Sequence, residues 1–344
     1  MKKEPSGSWL CAPLGVVYSS LAGLRTQLYS QGLLKSSQLS VPVVSVGNLT
    51  VGGTGKTPLV AQLLHWAQER GLRVGVVSRG YGSRFEGTQR VRPGDPPLFG
   101  DEPQMLANQF PEVPVYVDPK RVRAAEVLLR DQQVDLILAD DGFQHLKLKR
   151  SLDIVVIDAL EPSWHYRPLP WGRARESLAG LSRASYLVLT KVNFVSEEDR
   201  QRLRLSLHSW APSVPVVVAE LAFSHFSDLN SGEDLDLSGQ SLVAVSGIGR
   251  PEGFKKLLEG QKIKVLEHLV FADHHNYGLR DLKKIATRIQ ASGAKGVVVT
   301  AKDAVKLKAM ETDFPLYVAH VELKFLEGVE RIYEDLSRLA GQSS

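Results

Sequence analysis

Thr50-Val51-Gly52-Gly53-Thr54-Gly55-Lys56-Thr57 closely follows the apolar run Val41-Pro42-Val43-Val44-Ser45-Val46, with Gly47-Asn48-Leu49 between them. The apolar run predicts a short strand, and Gly-Lys-Thr followed by Pro58 predicts the start of a helix. Strand, glycine-rich turn and helix in that order make a phosphate-binding loop. The glycines let several backbone N–H groups turn toward one anion, and the helix adds the positive end of its dipole. In such a loop the Lys56 ammonium reaches the β- and γ-phosphates and the Thr57 hydroxyl holds Mg2+. The usual pattern has glycine where this chain has Thr50. The bland alternative is an ordinary glycine-rich turn between a strand and a helix.

Val134-Asp135-Leu136-Ile137-Leu138-Ala139-Asp140-Asp141 reads as a buried parallel strand that ends in two carboxylates. An acid in that position on a neighbouring strand binds the metal of a nucleotide site, directly or through water. By itself the pattern is more commonly that of a solvated strand end. Together with the glycine loop it points to a nucleotide and Mg2+.

Further along, apolar runs alternate with helical stretches. Val74-Gly75-Val76-Val77, Val115-Tyr116-Val117, Ile154-Val155-Val156-Ile157 and Tyr186-Leu187-Val188-Leu189 read as strands, with helices over 57–69, from Asp101, and over 121–132. This alternation predicts an α/β fold of the P-loop NTPase type, a mostly parallel sheet flanked by helices. Ligands in such sheets bind beyond the carboxyl ends of the strands, where Thr57, Arg79, Asp101 and Asp140 could meet. From about Pro212 the chain starts again, with strands at Leu242-Val243-Ala244-Val245, Gly296-Val297-Val298-Val299 and Leu316-Tyr317-Val318. Three regions are expected: an N-terminal amphipathic helix over 1–40, a P-loop nucleotide-binding core over 41–212, and a smaller α/β domain over 213–344. Val214 to Val218 is a strand at the boundary, and a polar stretch from Ser224 to Ser238 follows it.

The 344 residues carry 43% apolar and 23% charged side chains and a formal charge of +4. This is the composition of a globular protein, with no basic stripe of the kind nucleic-acid binding needs. The single cysteine, Cys11, excludes an intramolecular disulfide and a cysteine-rich zinc site, and it fits a reducing compartment. Glu4 and Pro13 argue against a signal peptide, and no stretch approaches the ~20 apolar residues that span a bilayer. Leu14, Val17, Leu21, Leu24 and Leu28 recur at helical spacing, with Trp9, Leu10, Tyr18 and Tyr29 around them and Arg25 and Lys35 as basic flanks. Such a helix either lies in a membrane interface or packs on the protein core.

Thr190-Lys191-Val192-Asn193 stands where P-loop GTPases place an Asn/Thr-Lys-x-Asp element. The Asn193 amide cannot offer the paired acceptors that grip guanine, which disfavours GTP. Thr300-Ala301-Lys302-Asp303 reads as a strand-to-helix turn with Asp303 near the cap. Asp101 is a candidate base for phosphoryl transfer, although stabilising a helix start is the commoner role of an acid in that position. In Asp273-His274-His275, the histidines could bind metal, polarise a carboxylate or cap a helix. The spacing is not that of a zinc enzyme, so a catalytic or substrate role is favoured over metal ligation, alongside a plain polar turn.

The stretch Asn48 to Pro58, with Thr50 in place of the first glycine, resembles the P-loop of the tetraacyldisaccharide 4′-kinase (lipid A 4′-kinase) family. So do Ser78-Arg79-Gly80-Tyr81-Gly82, Gly100-Asp101-Glu102-Pro103, Asp140-Asp141-Gly142-Phe143-Gln144-His145, Pro170 to Arg175-Glu176, and Asp273-His274-His275. Leu169-Pro170-Trp171-Gly172 departs from that family's leucine-proline-alanine-glycine at Trp171, which puts local contacts in doubt. The resemblance implies a phosphotransferase that moves the γ-phosphate of ATP to the 4′-hydroxyl of the lipid A disaccharide 1-phosphate precursor. It implies a place at the cytoplasmic face of the inner membrane, peripheral or monotopic, with no obligate protein partner. Carried over, residues Thr50, Val51, Gly52, Gly53, Thr54, Gly55, Lys56 and Thr57 bind the nucleotide, and Thr57, Asp140, Asp141 and Glu176 serve Mg2+. Asp101 takes the hydroxyl proton with His274 hydrogen-bonded to it. Arg79, Tyr81, Arg121, Gln144 and His145 are candidates for contacting sugar or phosphate. The second domain would close over the nucleotide and bring His274 to the site. Two rivals remain open: a nucleotide-gated switch or assembly factor acting on a protein partner, and a kinase of a soluble small molecule.

Overall fold

The computed structural model describes residues 7–80, 85–96 and 98–341. Its N-terminal part contains helix α1 (Ala12–Ser30), strand β1 (Val43–Asn48), α2 (Lys56–Gln68), β2 (Val74–Ser78), β3 (Gln89–Val91), α3 (Asp101–Gln109), β4 (Val115–Val117), α4 (Arg121–Asp131), β5 (Leu136–Asp140), β6 (Leu152–Asp158), β7 (Tyr186–Thr190) and α5 (Glu197–Trp210). The chain continues through β8 (Val216–Asp228), β9 (Asp234–Leu235), β10 (Ser241–Ser246), α6 (Pro251–Gly260), β11 (Lys264–Val270), α7 (Leu279–Ser292), β12 (Val297–Thr300), α8 (Ala301–Leu307), β13 (Leu316–Glu327) and α9 (Val329–Gly341).

Thirteen strands form one sheet in the order β11-β10-β12-β13-β8-β7-β6-β1-β5-β2-β4-β3, with β9 pairing β8 off this path. Strands β1, β2, β4, β5, β6 and β7 run parallel, and β3 pairs antiparallel at the edge. They are buried on both faces, which is why they read as continuous apolar runs. The register sets Val46 beside Asp140, so the phosphate loop and the Asp140–Asp141 turn leave adjacent strands at the same level.

Strand β8 spans 13 residues, well past the short apolar run the sequence suggests, and covers part of the stretch expected to be polar. Its first residues pair parallel with β7, and the strand pairs antiparallel with β13 over Val218 to Asp228. Its exposed Ser224 and His225 break the apolar pattern, although the backbone stays in the ladder. Because β13, β12, β10 and β11 are mutually parallel and β13 opposes β8, this group runs opposite to the core strands. The start of β13, beside β12, pairs with Phe226–Asp228, beyond the Val216–Val218 stretch that pairs with β7, so the second group lies past the carboxyl ends of the core strands and its own carboxyl ends point back toward them.

Helix α9 returns to the N-terminal part. Ile332 and Leu336 join the cluster formed by α2 and the core strands, and Tyr333 stacks on Trp66 with centroids 5.3 Å apart. Helix α1 buries only Gly15, where an added Cβ would lie 3.1 Å from the Trp171 Cβ. Leu14, Val17, Leu21 and Leu24 are 52–62% exposed, and Leu28 is half-buried. The apolar face is thus turned away from the protein, and packing on the core is not its role. No helix among the described residues is long and apolar enough to cross a membrane.

Candidate active site

The phosphate loop adopts the backbone its residues predict. Gly55 caps α2 in the left-handed region (φ 96°), a conformation that costs a side chain dearly, and no side chain caps the helix. The N–H groups of the first turn are thus left for an anion. Thr50 is buried and bridges Ala174, and it is not among the described residues with positive φ. A β-branched residue is at ease in that extended backbone, which accounts for the missing glycine. Residues 163–176 wrap over the loop: Val51 N–H donates to the Arg173 carbonyl and Arg175 N–H to the Leu49 carbonyl, both at 2.9 Å.

Lys56 is buried, with Nζ 3.1 Å from Asn48 Oδ1 and 3.4 Å from Asp141 Oδ1. Asp141 also accepts from Arg175 at 2.9 Å, and Arg121 donates to its carbonyl at 2.7 Å. Burial works to raise the Asp141 carboxyl, but the charges of Lys56, Arg175 and Arg121 outweigh it and hold it far below its ordinary value. Asp140 is different. Burial, with the facing Glu102 and Asp141 charges, pushes it up to about 7. Its Oδ2 accepts from the Ser78 hydroxyl at 3.2 Å, whereas its buried Oδ1 has no hydrogen-bond partner among the described residues. A buried oxygen left unsatisfied invites a cation.

Glu176, Gln144 and His145 gather around this corner. Glu176 is buried, with Arg183 at 2.7 Å on Oε2 and Gln144 at 3.0 Å on Oε1. Gln144 also donates to the Asn48 carbonyl and accepts from Arg175. Burial and the charges of Arg121, Arg150, Arg25 and Lys147 bring His145 down to about 4, so it is neutral at physiological pH. Arg79 is exposed at the end of β2, and Tyr81 lies outside the described residues. No group of three or more His, Cys, Asp or Glu among the described residues is arranged to hold a metal ion. That is compatible with Mg2+, which is commonly held by one or two carboxylates, waters and substrate phosphates.

Asp101 opens α3 and lies 173 positions from His274, yet His274 Nδ1 is 3.1 Å from Asp101 Oδ2. His274 sits in the left-handed region (φ 60°), and its N–H donates to the Gly247 carbonyl. Its other nitrogen, Nε2, is 3.0 Å from Lys302 Nζ. An ammonium has no lone pair, so Nε2 accepts and Nδ1 carries the proton given to Asp101. Lys306 Nζ is 2.8 Å from the same Asp101 Oδ2. Burial works to raise Asp101, but the hydrogen bonds from His274 and Lys306, with the Lys306 charge, leave it below its ordinary value. Sequence reasoning missed both lysines. Their spacing of four on a short helix was the available signal.

A cavity of about 650 Å3 joins the two groups of strand ends. Its walls include Gly53 to Thr57, Glu102, Phe194, Leu221, Arg250, Asp273 and Lys302. Arg250, from the turn after β10, reaches Asp158 at 3.1 Å, and Lys191 pairs with the same carboxylate at 2.6 Å. Asn193 spends its amide on the backbone of Leu221, donating at 3.0 Å and accepting at 3.2 Å. It is committed to holding β8.

A phosphate loop at the carboxyl ends of a parallel sheet, lining a cavity whose wall also holds Glu102 and Asp273, the chain neighbours of the Asp101–His274 pair, defines a P-loop nucleotide-dependent phosphotransferase. The family model for tetraacyldisaccharide-1-P 4′-kinases matches residues 7–339. The tetraacyldisaccharide 4′-kinase of Bdellovibrio bacteriovorus is 38% identical over 307 residues, covering 88% of this chain and 90% of that one. The tetraacyldisaccharide 4′-kinase of Chromobacterium violaceum is 40% identical over 301 residues, covering 87% and 83%. A crystal structure of the Aquifex aeolicus LpxK in complex with ATP superposes with a TM-score of 0.77 at 28% identity, covering 96% of this chain and 99% of that one. The chain belongs to the tetraacyldisaccharide 4′-kinase family. It is a phosphotransferase acting on a hydroxyl group, and the switch or assembly-factor reading is not favoured.

Proposed function

We propose that this kinase binds ATP on the loop 50–57 and transfers its γ-phosphate to the 4′-hydroxyl of the tetraacyldisaccharide 1-phosphate precursor of lipid A, with Asp101 as the base. The observation that carries this reading is the Asp101–His274 pair, fixed between the two parts of the chain and beside the cavity walled by the phosphate loop. Lys56, now on Asn48 and Asp141, turns its ammonium to the transferred phosphate. The acceptor hydroxyl gives its proton to Asp101 as its oxygen attacks phosphorus. A loose phosphoryl-transfer transition state asks little nucleophilicity of the acceptor. A carboxylate of low basicity therefore suffices when His274 holds it in place.

Thr57 and Asp140, whose Oδ1 lacks a partner among the described residues, are the residues suited to hold Mg2+ with the nucleotide. Asp141 and Glu176 bear on that site by holding Lys56, Arg175 and Gln144 in place. When bound, the ion would offset charge on the phosphates. Arg79, Tyr81, Arg121, Gln144 and His145 contact the acceptor sugar or phosphates. The 213–344 region, joined through the β8–β13 ribbon, closes over the nucleotide. The exposed leucines of α1, with Trp9 and Leu10, lie in the surface of the inner membrane on its cytoplasmic side. The acyl chains of such a substrate keep it in the bilayer, so its kinase has to reach the surface.

The test is transfer of labelled phosphate from γ-labelled ATP to lipid A disaccharide 1-phosphate in detergent micelles. We expect Asp101→Asn to lower turnover by about a hundredfold or more while ATP affinity stays within about threefold. Equal loss in both would make Asp101 a helix-start residue instead of the base.

A further inference from the structure

Asp101 receives two donors, and both land on the same oxygen. His274 Nδ1 lies 3.1 Å from Oδ2 and Lys306 Nζ lies 2.8 Å from Oδ2. No described residue donates to Oδ1. Lys306 is 6% exposed in its side chain and donates a further hydrogen bond, of 2.9 Å, to the His275 carbonyl. A buried ammonium is unstable unless paired, and Asp101 is the carboxylate it pairs with among the described residues.

Lys306 and His274 ride on one frame. Thr300 caps α8 by accepting from the Asp303 N–H. The fully buried Asp303 accepts from the Gly247 N–H at 3.0 Å and the Tyr277 hydroxyl at 3.0 Å. The Gly247 carbonyl in turn takes the His274 N–H at 3.1 Å. Helix α8 and the 271–278 turn therefore move as a unit, and they present an ammonium and an imidazole N–H to one carboxylate oxygen.

Resting on the reading of Asp101 as the base, we infer that Lys306 is a positioning residue: it shares Oδ2 with His274 and so leaves Oδ1 as the atom that takes the acceptor's proton. In that step the acceptor O–H bond breaks and an Oδ1–H bond forms. The acceptor oxygen bonds the γ-phosphorus, and the bond from phosphorus to the bridging oxygen breaks with its electron pair going to ADP. The ammonium also keeps a buried carboxylate ionised between turnovers. The ionisable groups facing this pair are Lys306 and Tyr277 at Asp101, Lys302 and Asp273 at His274, and Glu102 next to Asp101 on α3; Lys56 and His65 line the neighbouring cavity with Glu102.

The experiment measures steady-state transfer to the micellar lipid substrate between pH 5 and 9 for Lys306→Met, Lys306→Arg and Asp101→Asn in the full chain. We expect Lys306→Met to lower kcat about tenfold to a hundredfold with the ATP KM within about twofold. The acid limb of its kcat/KM profile should move to higher pH, because the carboxylate has lost the charge that favours ionisation. Lys306→Arg should regain most of kcat and return the limb toward the parent position. An unmoved acid limb in Lys306→Met, or kcat and ATP affinity lost together, would overturn the inference. If Lys306→Met does not fold, Lys306→Gln, which keeps a donor and loses the charge, carries the same comparison. Asp101→Asn separates the two claims. Full turnover there removes the base itself, whereas an inactive Asp101→Asn beside a parent-like Lys306→Met removes only the role of Lys306.

Discussion

Lys56 and Asp101 stand at opposite limits of what local sequence reveals. Lys56 is fixed by its neighbours: a glycine turn before it and a helix after it leave it one place to point, and it is found beside Asn48 and Asp141. Lys56→Ala should reduce transfer by at least about two orders of magnitude, since it removes a charge aimed at the transferring phosphate. Near-parent rates in the same labelled-lipid assay would remove the phosphate-loop assignment. Asp101 looks locally like any acid at a helix start, and it does start α3. Its meeting with His274 and Lys306 depends on residues more than 170 positions away. That pairing leaves a signature in stability. Its carboxyl is lowered in the folded protein, so its contribution is full above the ordinary aspartate pKa of ~4 and is lost as pH falls through the lower folded value. The melting temperature of the parent should therefore fall more steeply than that of Asp101→Asn below about pH 4. Parallel curves in a thermal melt series would show the ion pair to be without consequence for folding.

The elements themselves were largely legible. Helices α2, α3 and α4 and strands β2, β4, β5, β6 and β7 fall where apolar runs, Gly-Lys-Thr and Asp-Glu-Pro place them. Strands β8 and β13 run much longer than their apolar segments, because a ladder of backbone bonds continues after the side chains have become exposed. Helix α1 shows the converse. Its periodicity left two places for one apolar face, and the choice was made by Gly15, whose lack of a side chain lets the helix sit against Trp171 and Pro168. The Trp171 departure is a local matter, filling the space beneath α1 with Arg167 stacked over it. Exchanging Leu14 and Leu21 for glutamate should lower the fraction of protein that sediments with phospholipid vesicles by about tenfold or more, since each exposed leucine gives up its transfer energy. Far-ultraviolet circular dichroism should be unchanged. Undiminished sedimentation would take α1 out of the membrane contact.

Across the whole molecule, the direction of the strands creates the site. The second group runs opposite to the first, so the turns after β10, β11 and β12 meet the phosphate loop after β1, the end of β6 and the start of α3. Arg250 on Asp158 and His274 on Asp101 are the visible results. Helix α9 then ties the end of the chain to the beginning of the catalytic core, through Tyr333 on Trp66 and the Tyr186 hydroxyl on Asp335 at 2.7 Å. Trp66 is 3% exposed, and Trp66→Ala should cost about 3–5 kcal/mol in urea unfolding. The loss should appear with α9 released to early proteolysis. A change below about 1 kcal/mol would mean that α9 is a loose appendage.

By itself the sequence determined the phosphate loop, the Asp-Asp strand end, the alternation of strands and helices, and, through the combination of its motifs, the family. These depend on chain-local physics: φ freedom at glycine, helix-start chemistry and the period of apolar residues. Only the tertiary structure decided which oxygen of Asp101 is occupied, which lysines hold the pair, which way α1 faces, and that Asn193 serves β8 instead of a base. Each of those follows from where the sheet carries residues far apart in sequence, and an amino-acid pattern has no local term for that distance.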